Sequence, residues 1–396
     1  MDIFYSRYYR INTTSSKRLG LWPHGDALKN KVKRYIIVIL ITSIIIPQAI
    51  RLIEEWNRDV DIVIEVIGSL MYFGGCQMKY ISFLLSNTKM KFVYEEIARH
   101  WQILNRQNEQ KILRKFSEEG RFITLIYLIP VNIILGVYIT VPLMPVFLDI
   151  IDPLNYTRTR MFPYFAEYFI DDQKYYFELT VHCWIVCILS VQIFVTFDTS
   201  YAQCTQHACA LFAIVGYRLD RTMKLQLEIK DSHVKKFNDD QILTEMTEAI
   251  LLHKQTIQFV NLIEQCYTDL FFWVLLLNTS LLSLTAVDTM LNLEKGNYKQ
   301  MIRIGTLYIG FSCHLLFNVI PGQKIMDSSA QVKNAAFHCE WFNNSARIKQ
   351  LLSIMMLRSS VPCTFTAKRL CVLNLETFAF VFKKSISYVT MIGSMR

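Results

Sequence analysis

Apolar residues in this chain come in long, nearly unbroken blocks separated by polar segments, without the short periods of a half-buried helix or strand. Seven blocks, at about 35–53, 60–86, 122–148, 176–200, 269–291, 301–321 and 370–395, approach or exceed the roughly 20 residues that cross a hydrocarbon core. The pattern predicts an all-α integral membrane protein with seven transmembrane helices. The first block, YIIVILITSIIIPQAIRLI, is too long for a signal-peptide core and reads as an anchor. The second carries Glu65 and Lys79. The third contains Pro130, Pro142 and Pro145, which spanning helices tolerate where neighbours satisfy the freed carbonyls. The seventh has Lys383 and Lys384 in its middle, facing either a bundle interior or snorkelling to an interface.

The polar segments set the orientation. Lys29, Lys31, Lys33 and Arg34 precede the first block, whereas Glu54, Glu55 and Asp59 follow it with the single Arg58. The positive-inside rule then places the N-terminal segment 1–34 in the cytoplasm and the C-terminus outside. On this reading 35–200 holds helices one to four, with an extracellular lid loop at 149–175. Segments 201–268 and 322–369 keep helical spacing and predict a cytoplasmic anchor flanking helices five and six (269–321), before the last helix at 370–396. Apolar stripes on that anchor need partners and suggest oligomerisation.

Composition narrows the chemistry. The chain is 52% hydrophobic and 19% charged, unlike a soluble domain. Its net charge of +9 resides in loops and reads as a topology signal, not a nucleic-acid surface. Ten cysteines without zinc-like spacing are expected as packed free thiols. No HExxH, GxSxG, Walker or dinucleotide motif is present, so neither an enzyme nor a cofactor or metal is expected. His182 is expected to be packed and hydrogen-bonded, over contact with a ligand. Aromatics gather at Tyr72, Phe73, Tyr138 and Tyr175 to Phe177, and in the lid loop at Tyr156, Phe162, Tyr164, Phe165, Tyr168 and Phe169. An interfacial belt explains part of this, and a lid over an apolar cavity the rest. Asn155 opens a glycosylation sequon usable only if that loop is outside; the sequons at Asn12, Asn278 and Asn343 should stay bare. Polar residues recur along the last block, and Met391 and Met395 lie four apart near its outer end, where a ring of them would form an apolar constriction.

The C-terminal stretch LLSIMMLRSSVPCTFTAKRLCVLNLETFAFVFKKSISYVTMIGSM resembles the C-terminal hallmark of the insect odorant receptor family. The shared elements are Arg358-Ser359, Pro362, Phe365-Thr366-Ala367, Leu373 to Phe378, Lys383 and Ser387-Tyr388. QHACALFAIVGYRLDR and AEYFIDDQKYYF also resemble that family, and the opening YYRINTTSSKRLGLWP is similar to the start of receptors from ants, bees and wasps. Lys368 and Arg369 replace the family's usual small residues. The resemblance implies an odorant-gated, non-selective cation channel in the plasma membrane of a sensory-neuron dendrite. It implies a heterotetramer with a shared co-receptor (Orco), a pore lined by the last helix and a small volatile or cuticular apolar ligand. Without the co-receptor's long insertion between helices four and five, the chain resembles a tuning subunit. By the family's pattern the ligand site is formed by Ser69, Tyr72 and Phe73 on helix two, Ile133, Gly136 and Thr140 on helix three, Val181 and Ile185 on helix four, and Ile304 and Tyr308 on helix six. The pore and gate fall at Tyr388, Met391, Ser394 and Met395. A gustatory receptor is the alternative, but SYVTMIGSM lacks that family's Thr-Tyr and terminal Gln-Phe. A G-protein-coupled receptor is disfavoured by the reversed charge bias.

Overall fold

The computed structural model describes residues 2–152, 158, 160, 162–231, 236–339 and 346–394. A 3₁₀ turn and the short helix α1 (Arg10–Arg18) lead into the long helices α2 (Ala27–Glu55), α3 (Val60–Ile103) and α4 (Gln107–Thr140). A brief α5 (Met144–Ile151) precedes α6 (Tyr176–Asp231), α7 (Lys236–Glu294), α8 (Tyr298–His338) and α9 (Ala346–Ser359). A two-stranded hairpin, β1 (Thr366–Ala367) and β2 (Cys371–Val372), then delivers the chain to α10 (Leu375–Ser394). Side-chain caps mark where helices begin. Asp26 accepts from the Leu28 and Lys29 amides at 3.0 and 3.2 Å, and Asp59 from those of Asp61 and Ile62 at 2.9 and 3.3 Å. Asn374 accepts from the Thr377 amide at 2.9 Å.

Among the described residues, α2, α3, α4, α6, α7 and α8 are long and apolar enough to cross a membrane. The seventh span is α10; its 20 residues measure about 30 Å, but Lys383 and Lys384 depress its hydropathy. At 56 and 59 residues, α6 and α7 each run to about 85 Å, far longer than a hydrocarbon core. Their excess length builds a helical bundle beyond the spans, and the main core lies there. It joins Phe212, Phe259, Ile263, Leu352 and Phe365 to Phe4, Tyr9 and Trp22 of the N-terminal segment. That segment is therefore built in. The Asn12 amide donates to the Thr199 carbonyl at 3.3 Å and to the Gln203 side chain. At the opposite end a smaller cluster joins Ile44, Phe73, Cys183 and Val186.

Two of the apolar blocks do not run as single helices. The third breaks after Thr140 into a 3₁₀ turn (Val141–Leu143) and α5, because Pro142 and Pro145 lack the amides that would continue the ladder. The seventh becomes helical only at Leu375, because residues 366–372 pair as the hairpin. Lys368 and Arg369 at its tip both have positive φ, 49° and 60°, as a tight hairpin turn demands. Gly322 of α8 receives this linker: a Cβ there would collide with the Leu373 carbonyl. All ten cysteines are free; eight are buried, while Cys313 is exposed and Cys371 half-buried.

Candidate functional site

The small outer cluster is built from aromatic side chains supplied by three helices and the loop before α6. Tyr72 and Phe73 of α3 meet edge to face at 5.2 Å, and Phe73 meets the Tyr164 ring at 4.9 Å. Tyr164 in turn contacts Tyr138 of α4 at 5.8 Å, and Tyr72 stacks on Phe194 of α6 at 5.3 Å. Hydroxyls in this cluster are directed. Tyr138 donates to the Pro163 carbonyl at 2.8 Å, and the Tyr164 hydroxyl lies 3.4 Å from Cys187 Sγ. Apolar rings with a few placed polar atoms are the kind of wall that can hold a small ligand by shape.

The loop over this cluster is tied down at its inner side. The Glu167 amide donates to the Pro47 carbonyl at 3.0 Å, and its carboxylate pairs with Arg51 at 3.3 Å. His182 bridges Ser43 of α2 at 2.8 Å and Tyr168 of the loop at 3.0 Å. It is thus packed and hydrogen-bonded.

The site residues expected from sequence do not all converge. Tyr72 and Phe73 are brought together at the cluster. Ser69 stands a turn away, its hydroxyl accepting from Gln48 of α2 at 3.0 Å. Ile133, Gly136 and Thr140 instead face outward on α4, as do Val181 and Ile185 on α6. The inward face of α4 carries Thr124, Tyr127, Asn132, Leu135 and Tyr138, because these supply the hydrogen bonds and contacts to α6, α8 and the loop. Cys183, Val186, Cys187 and Ser190 do the same on α6. On α8, Ile304 is buried, while the Tyr308 hydroxyl reaches Ser385 of α10 at 3.2 Å, towards the last helix. Asn155 and Met395 lie outside the described residues, as do the side chains of Tyr388, Met391 and Ser394.

Sequence reasoning noticed Lys79 but missed its partner. Lys79 of α3 and Asp198 of α6, 2% and 1% exposed, pair at 2.5 Å beneath the aromatic cluster. Tyr127 of α4 donates to the other carboxylate oxygen at 2.9 Å, and His314 Nε2 of α8 lies 3.0 Å from it. His314 Nδ1 lies 3.0 Å from the Asn278 amide oxygen on α7. A lone acid and a lone base in two apolar blocks were the available signal.

A family model described as 7tm Odorant receptor matches residues 60–386. The chain belongs to the insect odorant receptor family. This multi-pass receptor is 21% identical over 358 residues to odorant receptor Or2 of Anopheles gambiae, covering 87% of each chain. Similarity to the Anopheles gambiae odorant receptor coreceptor is 23% over 148 residues, 36% of this chain and 30% of that one. Its fold superposes on olfactory receptor OR5 of Machilis hrabei with a TM-score of 0.78, at 11% identity and full coverage of both chains. The receptor is thus a seven-transmembrane, all-α membrane protein of a receptor family and not an enzyme.

Proposed function

We propose that this receptor is the tuning subunit of a ligand-gated, non-selective cation channel in the plasma membrane of a sensory-neuron dendrite. It would assemble with the odorant receptor co-receptor as a heterotetramer, the projecting bundle of α6 to α9 holding the subunits together in the cytoplasm. A small apolar volatile or cuticular ligand binds among Tyr72, Phe73, Tyr138, Tyr164 and Phe194. Burial of its methylene groups supplies the affinity, about 0.8 kcal/mol per CH₂.

One observation carries the pore assignment. α10 exposes Glu376, Phe380, Lys383, Lys384 and Ser387 along one face, while it buries Val381 and Ser385 on the opposite side. Two lysines on an outward face within a span are costly against lipid, whereas a water-filled path shared with other subunits accommodates them. By the family resemblance, Met391, Ser394 and Met395 are assigned to the narrow part of that path. A ligand that binds better when α10 is displaced outward shifts the population to the open state.

Whole-cell recording tests this with the subunit expressed alone and with the co-receptor, against a panel of hydrocarbons and alcohols. Ligand-evoked cation current with the co-receptor is expected. Silence to the whole panel, with both proteins at the cell surface, contradicts the proposal. The orientation is tested separately. Glycosidase treatment should shift the chain's mobility, and Asn155→Gln should abolish that shift.

A further inference from the structure

Phe194 of α6 has a different partner on each side. Tyr72 of the aromatic cluster stacks on it with an interplanar angle of 20°, Lys79 Nζ stands 4.6 Å from its centroid, and the His314 ring meets it edge-on at 5.4 Å. The ring therefore joins the aromatic wall to the buried Lys79–Asp198–His314 network. The network draws on α3, α4, α6, α7 and α8, and its buried Lys79–Asp198 pair is costly to separate because a charge left behind would be unsolvated. α8 carries the arrangement onward. Six residues from His314, about 9 Å along the axis, Tyr308 reaches the fully buried Ser385 of α10.

We propose that Lys79, Asp198 and His314 are positioning residues that fix the setting of α8, and through Tyr308–Ser385 that of α10, with Phe194 passing on occupancy of the aromatic site. This rests on the channel reading above. A ligand that displaces Tyr72 removes one face of the Phe194 stack, and the ring then shifts against Lys79 and His314. The network responds as a unit, so α8 moves with it.

The test uses Asp198→Asn, Tyr308→Phe and the combination in the complex with the co-receptor, at matched surface density. Two readouts are taken: the ligand-free leak current, and the half-maximal concentration of 1-octanol or, failing a response, of the most effective panel alcohol. Distant, unconnected sites contribute independently, whereas a shared element makes them non-additive. Each single variant is expected to change leak or potency within the roughly 5- to 150-fold range of allosteric coupling. The combined change should fall short of the product of the two by about threefold or more. Unchanged leak and potency, or effects that multiply, overturn the proposal. If Asp198→Asn fails to reach the surface, Lys79→Met/Asp198→Asn takes its place, since it leaves no charge unpaired. If the parent complex passes no current, the channel reading fails. The coupling is then read from N-ethylmaleimide labelling of Ser385→Cys, measured against the parent thiol background. Asp198→Asn should speed that labelling about tenfold, and an unchanged rate overturns the coupling.

Discussion

The two ends of the molecule are packed on different principles. The projecting bundle has a continuous core in which Phe4, Tyr9, Phe212, Phe259 and Phe365 are all buried, and ion pairs tie its helices together. Arg106 bridges Glu245 and Glu248 at 2.9 Å each, and Arg218 meets the buried Glu109 at 2.8 Å. Among the described residues, the outer end has the small cluster around Phe73, a loop tied by hydrogen bonds and by ion pairs such as Arg51–Glu167 and Arg158–Asp149, and helices with many apolar residues facing outward. The difference teaches a division of labour. On the proposed reading, the tightly packed end is the one that would hold an assembly, and the looser end is the one that would take the ligand.

Substitutions at the two ends should differ in cost. Gly322→Val should have the largest effect, because the new side chain meets the backbone of the linker to α10, where nothing flexible can give way. We expect a loss of about 3 kcal/mol or more and little surface protein by biotinylation. Phe212→Ala, deep in the bundle, should cost about 3–5 kcal/mol in detergent thermal unfolding. The matched change Ile133→Ala, on the outward face of α4, should cost no more than about 0.5 kcal/mol. Similar costs for the two would erase the contrast.

Acid should destabilise the bundle. His100 and His207, beyond the spans, stack at 5.4 Å with Nδ1 and Nε2 3.2 Å apart, and the Tyr9 hydroxyl lies 3.4 Å from His207. Burial pushes His100 down to about 4 and His207 well below the usual histidine range. Both are therefore neutral when folded, and their contribution is complete above pH ~6.5 and lost as pH falls towards 4. From pH 7.5 to 5.5 each should lower bundle stability by about 1 kcal/mol, visible as a drop in Tm that His100→Gln reduces. A Tm that rises on acidification would contradict the neutral pair. A modest gain is expected at the hairpin, where Arg369 holds φ at 60°. Arg369→Gly should raise stability by about 1 kcal/mol, and a loss would mean that the side chain has a role beyond the turn.

Much of the fold was legible from block length alone, since a hydrocarbon core dictates how many apolar residues a span needs. The direction in which each residue faces was not. In α4 and α6 both faces are apolar, so Ile133, Val181 and Ile185 carry no mark that separates lipid from interior. The inward faces were written instead in small and polar residues, such as Asn132, Tyr138, Cys187, Ser190 and Asp198. Tyr72 and Phe73 stood out in the sequence because aromatics gather in the outer halves of helices two to four and because the family's pattern falls on them. The hairpin at 366–372 escaped because its two strands are two residues each and its tip holds Lys368 and Arg369 in place of glycine.

The account is tested most directly by recording Tyr72→Ala and Met391→Ala side by side with the co-receptor. Tyr72→Ala should raise the half-maximal ligand concentration by about tenfold or more, equal to at least 1.4 kcal/mol, with ion permeation unchanged. Met391→Ala should alter leak or relative permeability at an unchanged half-maximal concentration. If both change ligand sensitivity alone, the separation of an outer ligand site from a pore on α10 is contradicted.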